Sequence, residues 1–362
     1  MRIVAKIGTS SLTDQHGAIE RGAIAKLSDE VVVVREAGHE VLVVSSGAVA
    51  AGVAALGLMT RPTDMPTLQA LAAAGQSRLM EVWNIELGRH GVVAAQALLD
   101  PHDFVDRKQY LHTRQTLVRL LELGCVPVIN ENDAIANDDD RYGDNDRLAA
   151  LTAHNVGADV LVLLTDLDGL YTSDPRIYAD AELVHHVRAD DPLLAIRAGV
   201  GGSGRGSGGM AGKLAAARIA SWSGVRTVIT NAAGERALVE AVGGDVVGTV
   251  FEAHTRRLPA RKLWIAFASR VAGAVVVDDG ARRALTERTT SLLPAGVTDV
   301  VGRFGEGDIV DVRGTDGAVF ARGMVFVDAA DLRRAAGKHT RDLPDGMVHE
   351  VIHRDDLVLL PA

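Results

Sequence analysis

Cysteine is nearly absent from the chain: Cys125 stands alone among 362 residues. One thiol closes no intrachain disulfide and builds no multi-cysteine zinc site. Read on its own, Cys125 is a core residue on a strand. Long hydrophobic runs are missing as well. The valine run Val31-Val32-Val33-Val34 is closed off by Glu30 and Arg35, and no apolar stretch reaches the length of a bilayer span. The opening segment lacks a signal-peptide pattern, because Lys6 sits inside the first apolar run and Gly8 follows. A cytoplasmic location and no membrane partner are therefore expected. An excess of positive charge is lacking too. The net charge of -9 disfavours a generally basic nucleic-acid binder, although a local basic face stays open.

The remaining composition, 47% hydrophobic and 23% charged, is that of an ordinary soluble globular protein. The length exceeds one average domain and points to two. Short β-branched runs at residues 3–7, 41–45, 92–95, 126–130, 160–165 and 227–231 alternate with helical patterns at 21–37, 48–56, 67–89, 107–123, 146–156 and 211–222. The runs are apolar on both faces, as strands between two helix layers must be. Gly38, Gly91, Gly124 and Gly224 fall just past four of the helical patterns, where a left-handed residue ends a helix. The series predicts an α/β fold, a three-layer sandwich with a mostly parallel central sheet. Near residue 255 the pattern changes. A basic, proline-broken stretch around Leu258-Pro259-Ala260-Arg261-Lys262 leads into short strands at 273–277, 300–304, 308–313 and 318–327. Turn signals such as Asp279-Gly280 and Thr315-Asp316-Gly317 punctuate them. The expected division is 1–256, a linker at 257–268, a small mainly-β domain at 269–350 and a C-terminal tail at 351–362.

In an open α/β sheet, chemistry gathers at the carboxyl ends of the strands. Four polar or glycine-rich segments follow strands here and so share one rim. Lys6-Ile7-Gly8-Thr9-Ser10-Ser11 offers an ammonium, a glycine turn and hydroxyls, which suits a polyphosphate. An edge-strand lysine with a capping hydroxyl is the plainer alternative. Ser45-Ser46-Gly47-Ala48 joins a strand to a helix, as a seat for a carboxylate or phosphate or as a simple N-cap. Asn130-Glu131-Asn132-Asp133 and Gly143-Asp144-Asn145-Asp146 gather amides and carboxylates that would be costly as core filler. They suit the polar groups of an amino acid, or Mg²⁺. Asp138-Asp139-Asp140 between them reads as a solvated loop. The segment from Thr165 to Arg176, opening Thr165-Asp166-Leu167-Asp168-Gly169-Leu170-Tyr171, is either a turn-rich loop or part of a nucleotide pocket shaped by Tyr171 and the Asp168-Gly169 turn.

A fifth segment, residues 199–213, brings a glycine-rich loop and Lys213 to a helix start. It is no Walker A motif, because Ser207 takes the first glycine position and Leu214 follows the lysine. Its Gly204-x-Gly206-x-x-Gly209 spacing lacks the strand that a dinucleotide fingerprint needs. Near the end, His349-Glu350-Val351-Ile352-His353 matches a zinc pattern that requires a helix, whereas the surrounding residues read as extended. His185-His186 reads as surface or structural.

The ordered set of these motifs resembles the amino acid kinase family, and within it the members that phosphorylate free glutamate. The resemblance spans the whole chain, since residues from about Ser269 onward look like the C-terminal PUA domain that bacterial members often carry. It implies ATP-dependent phosphorylation of the side-chain carboxylate of L-glutamate, the first step toward proline, with Mg²⁺ accompanying ATP and its ligands unassigned. By the same resemblance, Lys6 and Lys213 would meet the ATP phosphates and Asp146 would orient both lysines. Ser46, Asp133 and Asn145 would hold glutamate. Thr165, Asp166 and the loop Ser207, Gly208, Gly209, Met210, Ala211, Gly212 and Lys213 would line the ATP site. Ala211-Gly212 stands where hydroxyl residues are common, so backbone N–H donors are expected there. A homotetramer inhibited by L-proline is also implied. Two alternatives stand beside this reading. One is a kinase of the same fold acting on acetylglutamate, aspartate, carbamate or a nucleotide. The other is an RNA-binding regulator acting through the PUA-like domain, which the near-cancelling charges from Arg261 onward do not support.

Overall fold

The computed structural model describes residues 1–14, 16–104, 106–135, 145–194, 209–244, 247–255, 257–268, 271–288, 290–342 and 350–360. They fall into two units that divide between Arg257 and Leu258.

The first unit runs β1 (Arg2–Ile7), α1 (Thr9–Leu12), α2 (Arg21–Glu36), β2 (Glu40–Ser45), α3 (Ala48–Ala55), α4 (Met65–Gly88), β3 (Ala94–Leu99), α5 (Arg107–Glu122), β4 (Val126–Glu131), α6 (Asn145–Val156), β5 (Val160–Thr165), β6 (His186–Val187), α7 (Met210–Trp222), β7 (Arg226–Asn231), α8 (Ala237–Gly243) and β8 (Thr249–Phe251). The strands form one sheet in the order β3-β4-β2-β1-β5-β7-β8-β6. Every neighbouring pair is parallel except β7 with β8. All six residues of β4 and of β5 are buried, because the sheet is covered on both faces. Ile3, Ala5, Val41, Val43, Val160 and Val162 pack with Leu27 and Val31 of α2, Leu79 and Trp83 of α4 and Leu238 of α8. The alternating residues Val4, Leu42, Val44, Leu161 and Leu163 are buried as well, and α5, α6 and α7 pack on the sheet and on one another. Burying one such side chain contributes roughly 1.5–3 kcal/mol, so the strand ends stand on a rigid floor.

The helix stops occur as read: Gly38, Gly91, Gly124 and Gly224 have φ of 84°, 70°, 79° and 72°. Three details differ from the sequence reading. The third strand begins at Ala94, two residues later than predicted, because it is an edge strand whose burial alternates and whose Leu98 is exposed. The short elements β6, β8 and α8 had no periodic signal of their own. Cys125 lies just before β4 and is half-buried, so it is neither on a strand nor fully in the core.

The second unit contains α9 (Ala260–Leu263), β9 (Val271–Val277), α10 (Asp279–Arg288), β10 (Val297–Gly302), β11 (Ile309–Arg313), β12 (Val319–Met324), α11 (Ala329–Ala335) and β13 (Leu357–Leu359). Its five strands form a separate sheet, β10-β9-β11-β12-β13, with only β9 and β11 parallel. Val275, Val277, Val310, Val312, Leu332 and Ile352 share its core. The proline-broken stretch is partly helical, with α9 followed by a π-helical turn at Trp264–Ala268. Residues 351–362, read as a tail, supply β13, which pairs with β12.

Candidate active site

The neighbouring strands β4, β2, β1 and β5 point their carboxyl ends at one rim. The residues that follow them enclose a cavity of about 360 Å³. Lys6 sits one residue from the end of β1, and Lys213 lies in the first turn of α7. Their ammonium groups meet on one carboxylate. Lys6 Nζ is 2.6 Å from Asp146 Oδ1, and Lys213 Nζ is 3.0 Å from Asp146 Oδ2. The Asp146 side chain is 0% exposed, and those of Lys6 and Lys213 are 4% and 7% exposed. Two cations on one anion leave a net positive charge beside the cavity. Buried charge of that kind is tolerable only when paired and held in good geometry, as here.

A neutral hydrogen-bond chain occupies the neighbouring wall. Asn145, the first residue of α6, donates from Nδ2 to Ser46 Oγ at 2.9 Å and to Asn130 Oδ1 at 3.1 Å. Asn130 donates from Nδ2 to Gln76 Oε1 at 2.8 Å, and its Oδ1 also accepts the Glu131 N–H at 2.9 Å. These partners fix the orientation of the Asn145 amide. Its Oδ1 is buried and has no partner among the described residues. A buried acceptor left so costs about 1–3 kcal/mol, which a ligand's donor can recover. Asp133 follows β4 and lines the same cavity. Burial holds its carboxyl above the ordinary carboxylate range, opposed by the nearby Arg61 guanidinium.

The wall is braced from behind. A side chain at Gly52 would overlap the Leu71 carbonyl, and one at Gly75 would overlap the Ala48 carbonyl, so α3 and α4 touch backbone to backbone. That contact sets Gln76 of α4 against Asn130. Trp83 Nε1 donates to Ser45 Oγ at 3.1 Å and fixes the end of β2. Gly47, with φ of 108°, then turns the chain into α3.

Of the residues singled out by sequence, Lys6, Ser46, Asp133, Asn145, Thr165, Asp166 and Lys213 all line the cavity. Asp146 lies beneath it on the two lysines. Gly209 caps α7, and Met210, Ala211 and Gly212 form its first turn, outside the described lining. Ser207, Gly208, Gly143, Asp144 and Asp138-Asp139-Asp140 lie outside the described residues. Thr165 Oγ1 donates to Asp166 Oδ1 at 3.0 Å. The turn beyond is tied elsewhere: Asp168 accepts from Asn231 at 2.9 Å and from the Tyr171 hydroxyl at 3.1 Å. Neither Asp168 nor Tyr171 lines this cavity. The zinc-like pattern near the C-terminus contains Ile352, which bridges Leu292 in extended conformation. Sequence reading missed Arg61, Gln76 and Trp83. Arg61 sits in a loop without periodicity; the signal for Gln76 was an amide on an apolar helix face.

Cations gathered for an anionic donor, beside a pocket sized for a small acceptor, are the working parts of a small-molecule kinase, and that is the class this unit defines. The chain belongs to the amino acid kinase family, whose family model matches residues 1–231; a PUA domain model matches residues 273–347. As a member of that family it is an ATP-dependent kinase. A protein of Nocardia farcinica named glutamate 5-kinase is 47% identical, covering 98% of this chain and 96% of that protein. Proteins of the same name from Pseudomonas entomophila and Mycobacterium tuberculosis strain H37Rv are each 45% identical over 99% of this chain, covering 98% and 95% of their own lengths. The crystal structure of an isopentenyl phosphate kinase product complex from T. acidophilum shares the fold, with a TM-score of 0.50 and 18% identity over 70% of this chain and all of that one.

Proposed function

We propose that the chain is a glutamate 5-kinase, transferring the γ-phosphoryl group of ATP to the side-chain carboxylate of L-glutamate to give L-glutamyl 5-phosphate, the first step of proline biosynthesis. The names of the full-length relatives support this. The observation that carries it is the buried Asn145 Oδ1, which has no hydrogen-bond donor among the described residues, on the cavity that Asp133 and the paired lysines also line. An acceptor oxygen and a carboxylate together call for an ammonium group. An N-acetylated acceptor would leave both without a cation, so a free amino acid fits better than acetylglutamate.

In this reading Ser46, Asp133 and Asn145 hold glutamate. Thr165, Asp166 and the segment from Ser207 to Lys213 hold ATP. A carboxylate is ionised at neutral pH, so no general base is needed. A side-chain oxygen attacks the γ-phosphorus in line, the bond to the β,γ-bridging oxygen breaks, and ADP leaves. Lys6 and Lys213 stabilise the charge that spreads over the transferring group, with Asp146 keeping both in place. Among the described residues no cluster of three metal-ligating side chains forms. Mg²⁺ would accompany the ATP phosphates and neutralise part of their charge. L-Proline shares the α-carboxylate and a cationic amine with glutamate but has no side-chain carboxylate, so it would occupy the same seat as a competitive inhibitor. A cytoplasmic homotetramer accords with the family resemblance.

Incubation with MgATP, L-glutamate and hydroxylamine tests the reading. Hydroxamate should form in step with ADP. Hydroxamate from N-acetylglutamate and none from glutamate would overturn it.

A further inference from the structure

We propose that Arg61 recognises the α-carboxylate of the acceptor amino acid and so sets the enzyme's selectivity for an amino dicarboxylate. The inference rests on the glutamate reading above. Three cationic side chains line the described cavity: Lys6, Lys213 and Arg61. The two lysines are committed to Asp146. Arg61 makes no hydrogen bond or ion pair among the described residues, and its electrostatic neighbour is Asp133.

Charge matching then assigns the ends of the acceptor. L-Glutamate brings two carboxylates and one ammonium group. The side-chain carboxylate must approach the lysines, where the phosphoryl group arrives. The ammonium group suits Asp133 and Asn145 Oδ1. That leaves the α-carboxylate, and Arg61 is the remaining cation on the wall next to Asp133. A guanidinium offers two parallel N–H donors that match the two oxygens of a carboxylate.

The two ends of the arginine's loop are held in position. Its loop leaves α3 after Ala55 and enters α4 at Met65. Both helices are locked by the Gly52 and Gly75 contacts. Asp64 caps α4 by accepting the Thr67 N–H at 3.0 Å, and Pro66 stiffens the first turn. Arg61 itself is exposed, so it stays hydrated until a ligand arrives and its replacement leaves the core untouched.

The test compares L-glutamate with L-isoglutamine, whose α-carboxylate is a neutral amide while its ammonium and side-chain carboxylate remain. Hydroxamate formation is measured in wild type, Arg61→Ala and Arg61→Lys. Wild type should prefer glutamate by about tenfold or more in kcat/KM, the worth of one charge-assisted pair. Arg61→Ala should raise the KM for glutamate by about tenfold, leave kcat and the KM for ATP nearly unchanged, and bring the preference close to one. Arg61→Lys should recover part of it. A preference that survives Arg61→Ala overturns the inference, as does an equal loss on both acceptors. A wild-type enzyme that forms hydroxamate from neither acceptor instead brings down the parent reading.

Discussion

At one end of the cavity Lys6 and Lys213 share the buried carboxylate of Asp146; at the other, Ser46, Asn145, Asn130 and Gln76 join through neutral hydrogen bonds. The first end supplies charge and reads little shape, so it suits a polyphosphate and the charge that develops during transfer. The second end supplies direction, with each amide oriented by the next. Both ends rest on α6, whose first two residues, Asn145 and Asp146, serve one each. Adjacent side chains of one helix start thus bring donor and acceptor together at fixed spacing, which is where much of the catalytic advantage of positioning arises.

The largest effect expected from separating the two ends comes from Asp146→Ala. Two ammonium groups would then lose the buried carboxylate that they share. The loss should be about 3–5 kcal/mol of stability, read by urea unfolding. A loss under about 1 kcal/mol would mean that Asp146 does not hold the pair. Lys6→Ala and Lys213→Ala come next. Each should cut kcat about a hundredfold, or ~3 kcal/mol, with little change in unfolding. Near-wild-type turnover would remove that lysine from the transfer step.

At the acceptor end, Asp133→Ala should weaken glutamate and proline together, by about tenfold each, because both offer the same amine. Inhibition by proline that glutamate does not relieve would place proline at another seat. A smaller effect concerns the far end of α6. Burial, together with Arg114 and Arg257, pushes the His154 imidazole down to about 4. The folded state therefore resists a proton that the unfolded chain accepts near pH 6.5. Stability should be full above pH 6.5 and fall as pH drops from 6.5 toward 4. His154→Gln should flatten that slope, and an unchanged slope would assign it elsewhere. The least effect is expected from stopping the chain after Arg257. All cavity-lining residues precede that point, so the fragment should keep its phosphotransferase activity, and a folded fragment without it would contradict the placement.

The strands β1, β2, β4, β5 and β7 were legible in the sequence because burial on both faces makes them continuous apolar runs. The edge strand β3 was displaced because alternate exposure dilutes that signal. The segments β6 and β8, two and three residues long, depend on pairing with each other and with β7. The lysines and amides of the site were legible because each sits at the carboxyl end of a strand or in the first turn of a helix. Gln76 and Trp83 were not, since a residue in the middle of a helix reveals its role only once α4 is laid against the strand ends. That Asp146 serves two lysines 207 residues apart was implied by the family resemblance and not by any spacing in the sequence, since the packing of α6 between β1 and α7 creates it.

The division of labour between the two ends is tested most directly by steady-state kinetics of Asn145→Ala beside Lys213→Ala, with both substrates varied. Asn145→Ala should raise the KM for glutamate by about tenfold while the KM for ATP stays within about twofold, and Lys213→Ala should act mainly on kcat. If Asn145→Ala instead raised both KM values together, the cavity would have no separate acceptor end.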